Sequence, residues 1–479
     1  MTGERTGKEQ ERGNISITMR LRFLQQTYWV SGLALGLIAV LAGSLASAQE
    51  EAVEPVQSIR SQSPLLYFDR PVLVEEGLDP LMPMRAPLLD PEADPAFDQR
   101  SDSIREYNST VTDIELDGGA WDGSLVEELA SLGRLQQQQG NHIGAIETLD
   151  RAIHVNRINS GLYTLEQIPV VEQLIQSYMA LGNWEQADIY HNYLFHVQQK
   201  AYGVDDPRLI PVLDRLATWN IQAFKIGHGN LLGIRLRQSQ ILFNAAARMV
   251  GMHFGKSDER FIDYQRNIAN SAYLVARNPD LMMEIQRPEY RSMQQMFAEK
   301  LNEHRRVQPP GFRTGERALM EIAMYYQKKG DNPYALAEAI THLADWYLMF
   351  DRRRGTLENY KLAWDMLQEL ENSEELTEKL FGNVVPLPSF ESPIELPDAF
   401  YRNDEGTEKL NFDYADLVFD VTAGGELRKV RTISEETEDN QAQLSKLRIS
   451  VRSVRFRPLV IDGVPQRSSE NHFRYRYWY

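Results

Sequence analysis

Between Leu125 and Leu216 the apolar positions return every three or four residues, and the whole pattern occurs twice. Leu125, Leu129, Leu132 and Leu135 stripe one face of a helix that should end near Gly140-Asn141. Ala145, Ile146, Leu149, Ala152 and Ile153 stripe a second helix beyond that turn. Leu132, Gly140, Ala145, Gly161 and Ile168-Pro169-Val170 recur, displaced by 42 residues, as Leu174, Gly182, Ala187, Gly203 and Ile210-Pro211-Val212. The second unit adds Val171, Ile175, Tyr178, the turn Gly182-Asn183, Tyr190 and Leu194. A helix pair buries little alone, so the repetition predicts units stabilised by stacking.

Past Leu216-Ala217 the register loosens. Leu242 to Gly255 resembles Tyr190 to Gly203 with ten extra residues, which predicts a third unit with an insertion around Gly227 to Gly233. Helices are predicted at Phe261 to Val275 and Leu281 to His304, with a break at Pro309-Pro310-Gly311. A last group spans Glu316 to Leu370, its final unit running from Thr341 to Leu370. Pro386, Pro388, Pro393 and Pro397 then end the helical pattern.

The last eighty or so residues alternate instead. Leu417, Phe419 and Val421 lead through Ala423-Gly424-Gly425-Glu426 into Leu427, Val430 and Ile433, which predicts a hairpin. Leu444, Leu447 and Val451 suit a helix face. A final strand places Phe473, Tyr475, Tyr477 and Tyr479 on one side and Arg474, Arg476 and Trp478 on the other. The predicted order is strand, strand, helix, strand.

Ahead of the repeats, residues 49–120 carry Pro55, Pro64, Pro71, Pro80, Pro83, Pro87, Pro91 and Pro95 among acids, a composition that packs no core. Leu65-Leu66-Tyr67-Phe68 and Val72-Leu73-Val74 read as sticky patches on a solvated tether, in preference to docking strands. Tyr107 to Leu116 alternates weakly, as one strand would. Residues 1–48 read as an export signal: Arg20 and Arg22, an apolar run from Trp29 to Leu45, then Ala46-Ser47-Ala48 before Gln49. The competing reading is an uncleaved anchor, and Met19 is an alternative start. Either way the remainder is expected in the periplasm of a Gram-negative bacterium.

Composition narrows the chemistry. At 479 residues and a net charge of -17, the chain is too long for one core and too acidic for general nucleic-acid binding. It has no cysteine, which removes disulfides and thiolate sites and suits an exported protein. His191 and His196 do not share a helix face, and His142 and His154 have no acid at ligand spacing. Gly227, Gly229 and Gly233 lack the Lys-Ser/Thr of a phosphate loop. Arg352-Arg353-Arg354 reads as a solvated corner. No cofactor, metal or catalytic residue is predicted.

The helix pairs resemble the tetratricopeptide repeat family. Leu129, Leu132 and Gly133 with Ala145 and Ala152 stand at its large and small positions, repeated in Leu174, Gly182, Ala187 and Leu194; Gly203-Val204-Asp205-Asp206-Pro207 resembles the 42-residue subtype of kinesin light chains. Residues 405–479 resemble the C-terminal domain of TonB energy transducers through Phe419-Asp420-Val421 with Gly425, Arg455-Phe456-Arg457-Pro458, Asp462-Gly463-Val464-Pro465 and the aromatic last strand. The loop Glu435 to Gln441 departs from that family, lacking Ser-Ser-Gly, and the apolar run lacks the transducers' histidine.

The expected fold is therefore mainly α: a signal or anchor over 1–48, a Pro- and acid-rich linker over 49–120, a TPR-like α-solenoid over 121–372, a Pro-rich linker over 373–404, and a small α+β domain over 405–479. The resemblances imply a non-enzymatic scaffold for protein partners in the cell envelope. The solenoid groove would hold one partner, and the edge of the last strand would pair with an extended segment of another. Arg455, Arg457, Arg474, Arg476, Tyr475 and Tyr477 are the candidate contact residues. Membrane contact is expected only through an uncleaved N-terminus. A TonB-type transducer component and an envelope enzyme with an unrecognised site are the alternatives.

Overall fold

The computed structural model describes residues 67–68, 70–74, 94–203, 205–229, 231–285, 287–288, 311–390, 394–401, 412–434 and 440–478. The signal or anchor over 1–48, most of the N-terminal linker, the predicted helix beyond residue 288, the loop 435–439 and Tyr479 lie outside them.

Two predicted units form as helix pairs: α2 (Leu125–Gln138) with α3 (His142–Ser160), then α4 (Ile168–Ala180) with α5 (Trp184–Tyr202). The same local physics recurs at each. Gly140 and Gly182 turn the chain with φ of +75° and +71°, a region that costs a side-chain-bearing residue about 1–2 kcal/mol. The following asparagines cap the second helix, Asn141 accepting from the Gly144 amide and Asn183 from the Gln186 amide. Proline opens α4 and α6 (Ile210–Ile226), where its missing N–H has no intrahelical partner to lose.

The third unit pairs α6 with α7 (Leu232–His253). Its extra residues lengthen both helices, to 17 and 22 residues against 13 and 19 in the second unit. At the exits of α5 and α7 one device repeats: Asp206 and Asp258 cap the next turn, and Arg208 and Arg260 lie 4.1 and 4.2 Å from the ring centroids of Tyr202 and Phe254. Neighbouring units interlock through polar side chains. Gln137 donates to the Gln173 carbonyl and Ser177, and Asp188 accepts from Trp219 Nε1 and pairs with Arg235.

The array continues through α8 (Glu259–Arg277), α9 (Pro279–Ile285), α10 (Phe312–Lys329), α11 (Pro333–Met349), α12 (Arg353–Gln368) and α13 (Ser373–Phe381). One apolar cluster runs from Val111 through the pairs to Phe390 and Val460. The final pair begins at Pro333 rather than Thr341, because Asn332 caps α11 by accepting from the Ala335 amide. Residues 373–381, expected as linker, form α13, with Leu380 and Phe381 buried.

Ahead of the pairs stands α1 (Phe97–Gly118). The strand expected from Tyr107 to Leu116 is thus a helical segment. Its inward residues, Ile104, Val111 and Ile114, follow helical spacing, and Glu115 pairs with Arg151 across to α3. Its sparse apolar stripe hid it within an acidic, proline-bounded stretch.

The C-terminal unit carries β4 (Phe412–Val421), β5 (Leu427–Thr432), α14 (Gln441–Val451), β6 (Phe456–Arg457), the hairpin β7 (Leu459–Ile461) and β8 (Val464–Gln466), and β9 (Ser468–Trp478). The strand, strand, helix, strand order holds, with the short hairpin added. Leu444, Leu447 and Val451 of α14 share a core with Phe419, Phe456 and Phe473, whose rings sit 5.2 to 5.4 Å apart. β4 lies between β5 and β9. Two strands from the expected tether, β1 (Tyr67–Phe68) and β2 (Val72–Leu73), pair antiparallel with the far side of β9. β3 (Val385–Pro386), from the second expected linker, pairs with β6.

Candidate functional site

Three joints bear on binding. The first is the outer edge of β9. Tyr67 and Phe68 stand opposite Trp478 and Tyr477, Val72 and Leu73 stand opposite Arg474 and Phe473, and the Val74 amide donates to the His472 carbonyl at 2.9 Å. The edge expected to be open thus holds an extended stretch of its own chain. The solvated-tether reading of Val72-Leu73-Val74 is corrected accordingly. Backbone pairing reads little sequence, so isolated apolar dipeptides between prolines suffice to dock.

The predicted contact residues take other roles around this edge. Tyr475 and Tyr477 point into the core and are fully buried, so their side chains offer no surface. Arg474 grips Asp416 on β4 at 2.7 and 3.0 Å, and Arg476 lies over the Trp478 ring at 4.9 Å. Although partial burial opposes it, Asp416 stays below the ordinary carboxylate range because Arg474 donates to it. Arg474 thus braces β9 against β4, while Arg476 stacks within its own strand.

The second joint fastens the C-terminal unit to the array. Arg457 enters the helical core at 4 % side-chain exposure and meets Asp345 of α11, itself fully buried. Its Nε lies 3.0 Å from Asp345 Oδ1 and its Nη2 2.5 Å from Oδ2, while Nη1 donates to the Leu380 carbonyl at 3.1 Å. Tyr360 and Ser389 each donate to Asp345 at 2.6 Å. Burial by itself would raise the Asp345 pKa, but the Arg457 charge and these donors hold the carboxyl below the usual range. Arg457 is thus an internal anchor rather than a partner contact. Arg455 crosses the same boundary to Asp351 at 3.0 Å and donates to the Gly424 carbonyl of its own unit at 3.0 Å.

The third joint is a groove over α11, α6 and α4. After β3 the chain lies along the array at residues 387–390 and again at 394–401, where Asp398–Tyr401 forms a short 3-10 helix. Phe390 packs against His342 and Trp346 of α11. Ile394 joins the helical core, Gln222 of α6 donates to the Glu395 carbonyl at 2.8 Å, and Ala399 lies against Gly182 at the end of α4. Residues 394–399 therefore lie against the first helices of the second and third pairs.

The repeat-defining positions fall where close packing needs them. Leu132, Ala145, Ala152, Leu174, Ala187 and Leu194 are buried, and a methyl group on Gly133 would come within 2.6 Å of the Leu149 side chain. The histidines serve packing: His191 stacks on Trp219 at 4.9 Å, and His154 and His196 meet Trp121 and Tyr163 edge-on. Arg352 lies over the Phe312 ring and Arg354 pairs with Glu358, so the basic run braces its own turn. Among the described residues no cluster of three His, Asp or Glu side chains is arranged to hold a metal.

Asp345, Ser389 and Arg70 escaped the sequence reading. Asp345 carried one signal, a carboxylate among Leu343, Ala344 and Trp346 on a helix otherwise apolar at that point.

No family model matches the sequence, and no curated protein does. Among solved structures it is similar to a kinesin light chain-like protein of Podosopora anserina with nearly identical TPR-like repeats, at 12% identity, TM-score 0.33, covering 52% of this chain and 99% of that one. A substituted form of the same protein gives 13% identity, TM-score 0.33, and coverage of 54% and 96%. BtubC (BKLC) from P. vanneervenii matches at 12% identity and TM-score 0.33, covering 63% of this chain and 99% of that chain. The chain is a helical-repeat array of stacked helix pairs with a small strand-rich C-terminal unit.

Proposed function

We propose that the protein is a non-catalytic scaffold of the bacterial periplasm that captures extended segments of envelope proteins. The β9 edge, in a domain of TonB-like type, is one capture surface, and the TPR-like groove over α4, α6 and α11 is the other. The observation that carries this reading is the backbone pairing of Tyr67–Phe68 and Val72–Leu73 with β9. An edge that takes up a strand from a remote part of its own chain has the geometry to take one from a partner. The groove supports the same reading, since it holds Phe390, Ile394 and Glu395 through apolar packing and a side-chain bond to a main-chain carbonyl. Both contacts rely on backbone and shape, which suits partners sharing an extended form rather than one sequence.

The test is photocrosslinking from position 476 on β9 and position 222 on α6 in the exported full-length protein, with and without excess peptide copying residues 64–76. Specific envelope proteins captured at position 476 and displaced by the peptide are expected. Capture unaffected by the peptide, or none at either position, would overturn the proposal. The N-terminal mass of the recovered chain tests export directly, the expected first residue being Gln49.

A further inference from the structure

Arg70 sits between β1 and β2, in the segment that covers β9, yet its guanidinium points elsewhere. Nη2 donates to the Pro386 carbonyl at 2.9 Å, and Nη1 reaches the Pro388 carbonyl at 3.4 Å. Those carbonyls belong to the start of the stretch that fills the groove. The segment on the sheet therefore holds the segment on the helices.

The grip falls where the groove segment is anchored. Val385 and Pro386 pair with Arg457 and Phe456, and the Leu387 amide donates to the Arg455 carbonyl. Immediately past Arg70's reach, Ser389 bonds to Asp345 and Phe390 packs against Trp346. Downstream, Ile394, Glu395 and Ala399 continue the contact along α6 and α4, and Phe400 is buried. Arg70 thus holds the segment at the end where it enters the groove, the point from which loosening would start.

We propose that Arg70 couples the two covered surfaces, so that a partner strand displacing Tyr67–Phe68 and Val72–Leu73 from β9 also loosens Phe390, Ile394 and Glu395 from the groove. This rests on the reading of β9 as a peptide-accepting edge. The kind of partner follows from the geometry: an extended segment with apolar residues in place of Tyr67-Phe68 and Val72-Leu73, and no cation in place of Arg70. Such a strand takes the edge without restoring the grip on Pro386 and Pro388. A tethered segment competes at an effective concentration of roughly millimolar, so the first capture needs a strong or multivalent partner, and the opened groove then takes a second segment more readily.

Because the chain has no native cysteine, introduced pairs report without background. In the full-length protein, Gln222→Cys with Glu395→Cys reports the groove segment, and Tyr67→Cys with Trp478→Cys reports the strand on β9. Each pair is treated with a short bis-maleimide. With Arg70 intact both pairs are expected to crosslink quickly. Arg70→Ala is expected to slow the 222–395 pair by about three- to tenfold, since two bonds from a charged but exposed donor are lost. Leu73→Asp, which dislodges β2, is expected to slow it similarly, and Arg70→Lys to restore part of the rate.

Unchanged 222–395 crosslinking in both Arg70→Ala and Leu73→Asp, while the 67–478 pair still traps with Arg70 intact, would overturn the coupling and leave the β9 reading standing. Failure of the 67–478 pair to trap would overturn both. An unaltered helical circular dichroism signal in each variant excludes unfolding as the cause.

Discussion

Arg457 lies 112 residues beyond Asp345 in the chain and meets it inside the helical core, with side-chain exposures of 4 % and 0 %. A charge pair with every partner in place can persist there, whereas either member alone cannot. Arg457→Met is expected to lose about 3–5 kcal/mol of unfolding free energy, since Asp345 would stay buried and lose its countercharge. The double variant Arg457→Met with Asp345→Leu should lose less than the sum of the singles. Denaturant unfolding of the four proteins checks this, and additive losses would show that the two residues act independently.

Gly182 stands at φ +71° with Ala399 of the groove segment 3.6 Å from where its Cβ would be. Gly182→Val therefore strains the turn by about 1–2 kcal/mol and crowds the groove segment as well. Asn183→Ala should cost about 1 kcal/mol through its cap alone. Thermal unfolding separates them: equal small losses would contradict the role given to the turn.

Arg474 and Asp416 brace the central pair of strands. Arg474→Glu sets two carboxylates against each other and is expected to destabilise the sheet by roughly 1–3 kcal/mol. The exchange Arg474→Glu with Asp416→Arg should recover much of that loss. If Arg474→Glu left the C-terminal sheet as stable as before in hydrogen exchange, the brace would be illusory.

His191 is buried against Trp219, and burial pushes its pKa from 6.5 down to about 3, with Arg215 adding to the effect and Asp188 opposing it. The folded imidazole therefore stays neutral while the unfolded one takes up a proton below about pH 6.5. Stability from this residue is complete above that pH and falls by up to about 1.4 kcal/mol per pH unit towards pH 3. His191→Phe, which keeps a ring against Trp219, should flatten the acid side of the stability curve by one proton. An unchanged slope would contradict the assignment.

The helix pairs were legible because their determinants are local: Gly140, Asn141, Ala145 and their counterparts at Gly182, Asn183 and Ala187 fix turn, cap and close approach within a few residues. The strands β4 and β5 were legible from alternation, and helix α14 from the three- and four-residue spacing of Leu444, Leu447 and Val451, for the same reason. What stayed hidden is long-range. Nothing near Arg457 in sequence announces Asp345, so an arginine in an Arg-x-Arg-Pro run read as a surface contact although it is buried. Tyr67–Phe68 and Val72–Leu73 are too short to show a period, and their partner β9 lies about four hundred residues away. The helix α1 was missed because only Val111 is buried in it, too little apolar pattern to stand out among acids and prolines.

Binding at the β9 edge is most directly measured with a labelled peptide of residues 64–76, titrated into full-length protein whose own strand is weakened by Leu73→Asp. Saturable binding is expected, with new hydrogen-exchange protection confined to β9 and weaker uptake by the protein that keeps Leu73. A folded Leu73→Asp protein that binds no peptide and shows no change in β9 protection would contradict the reading of that edge as a peptide-accepting surface.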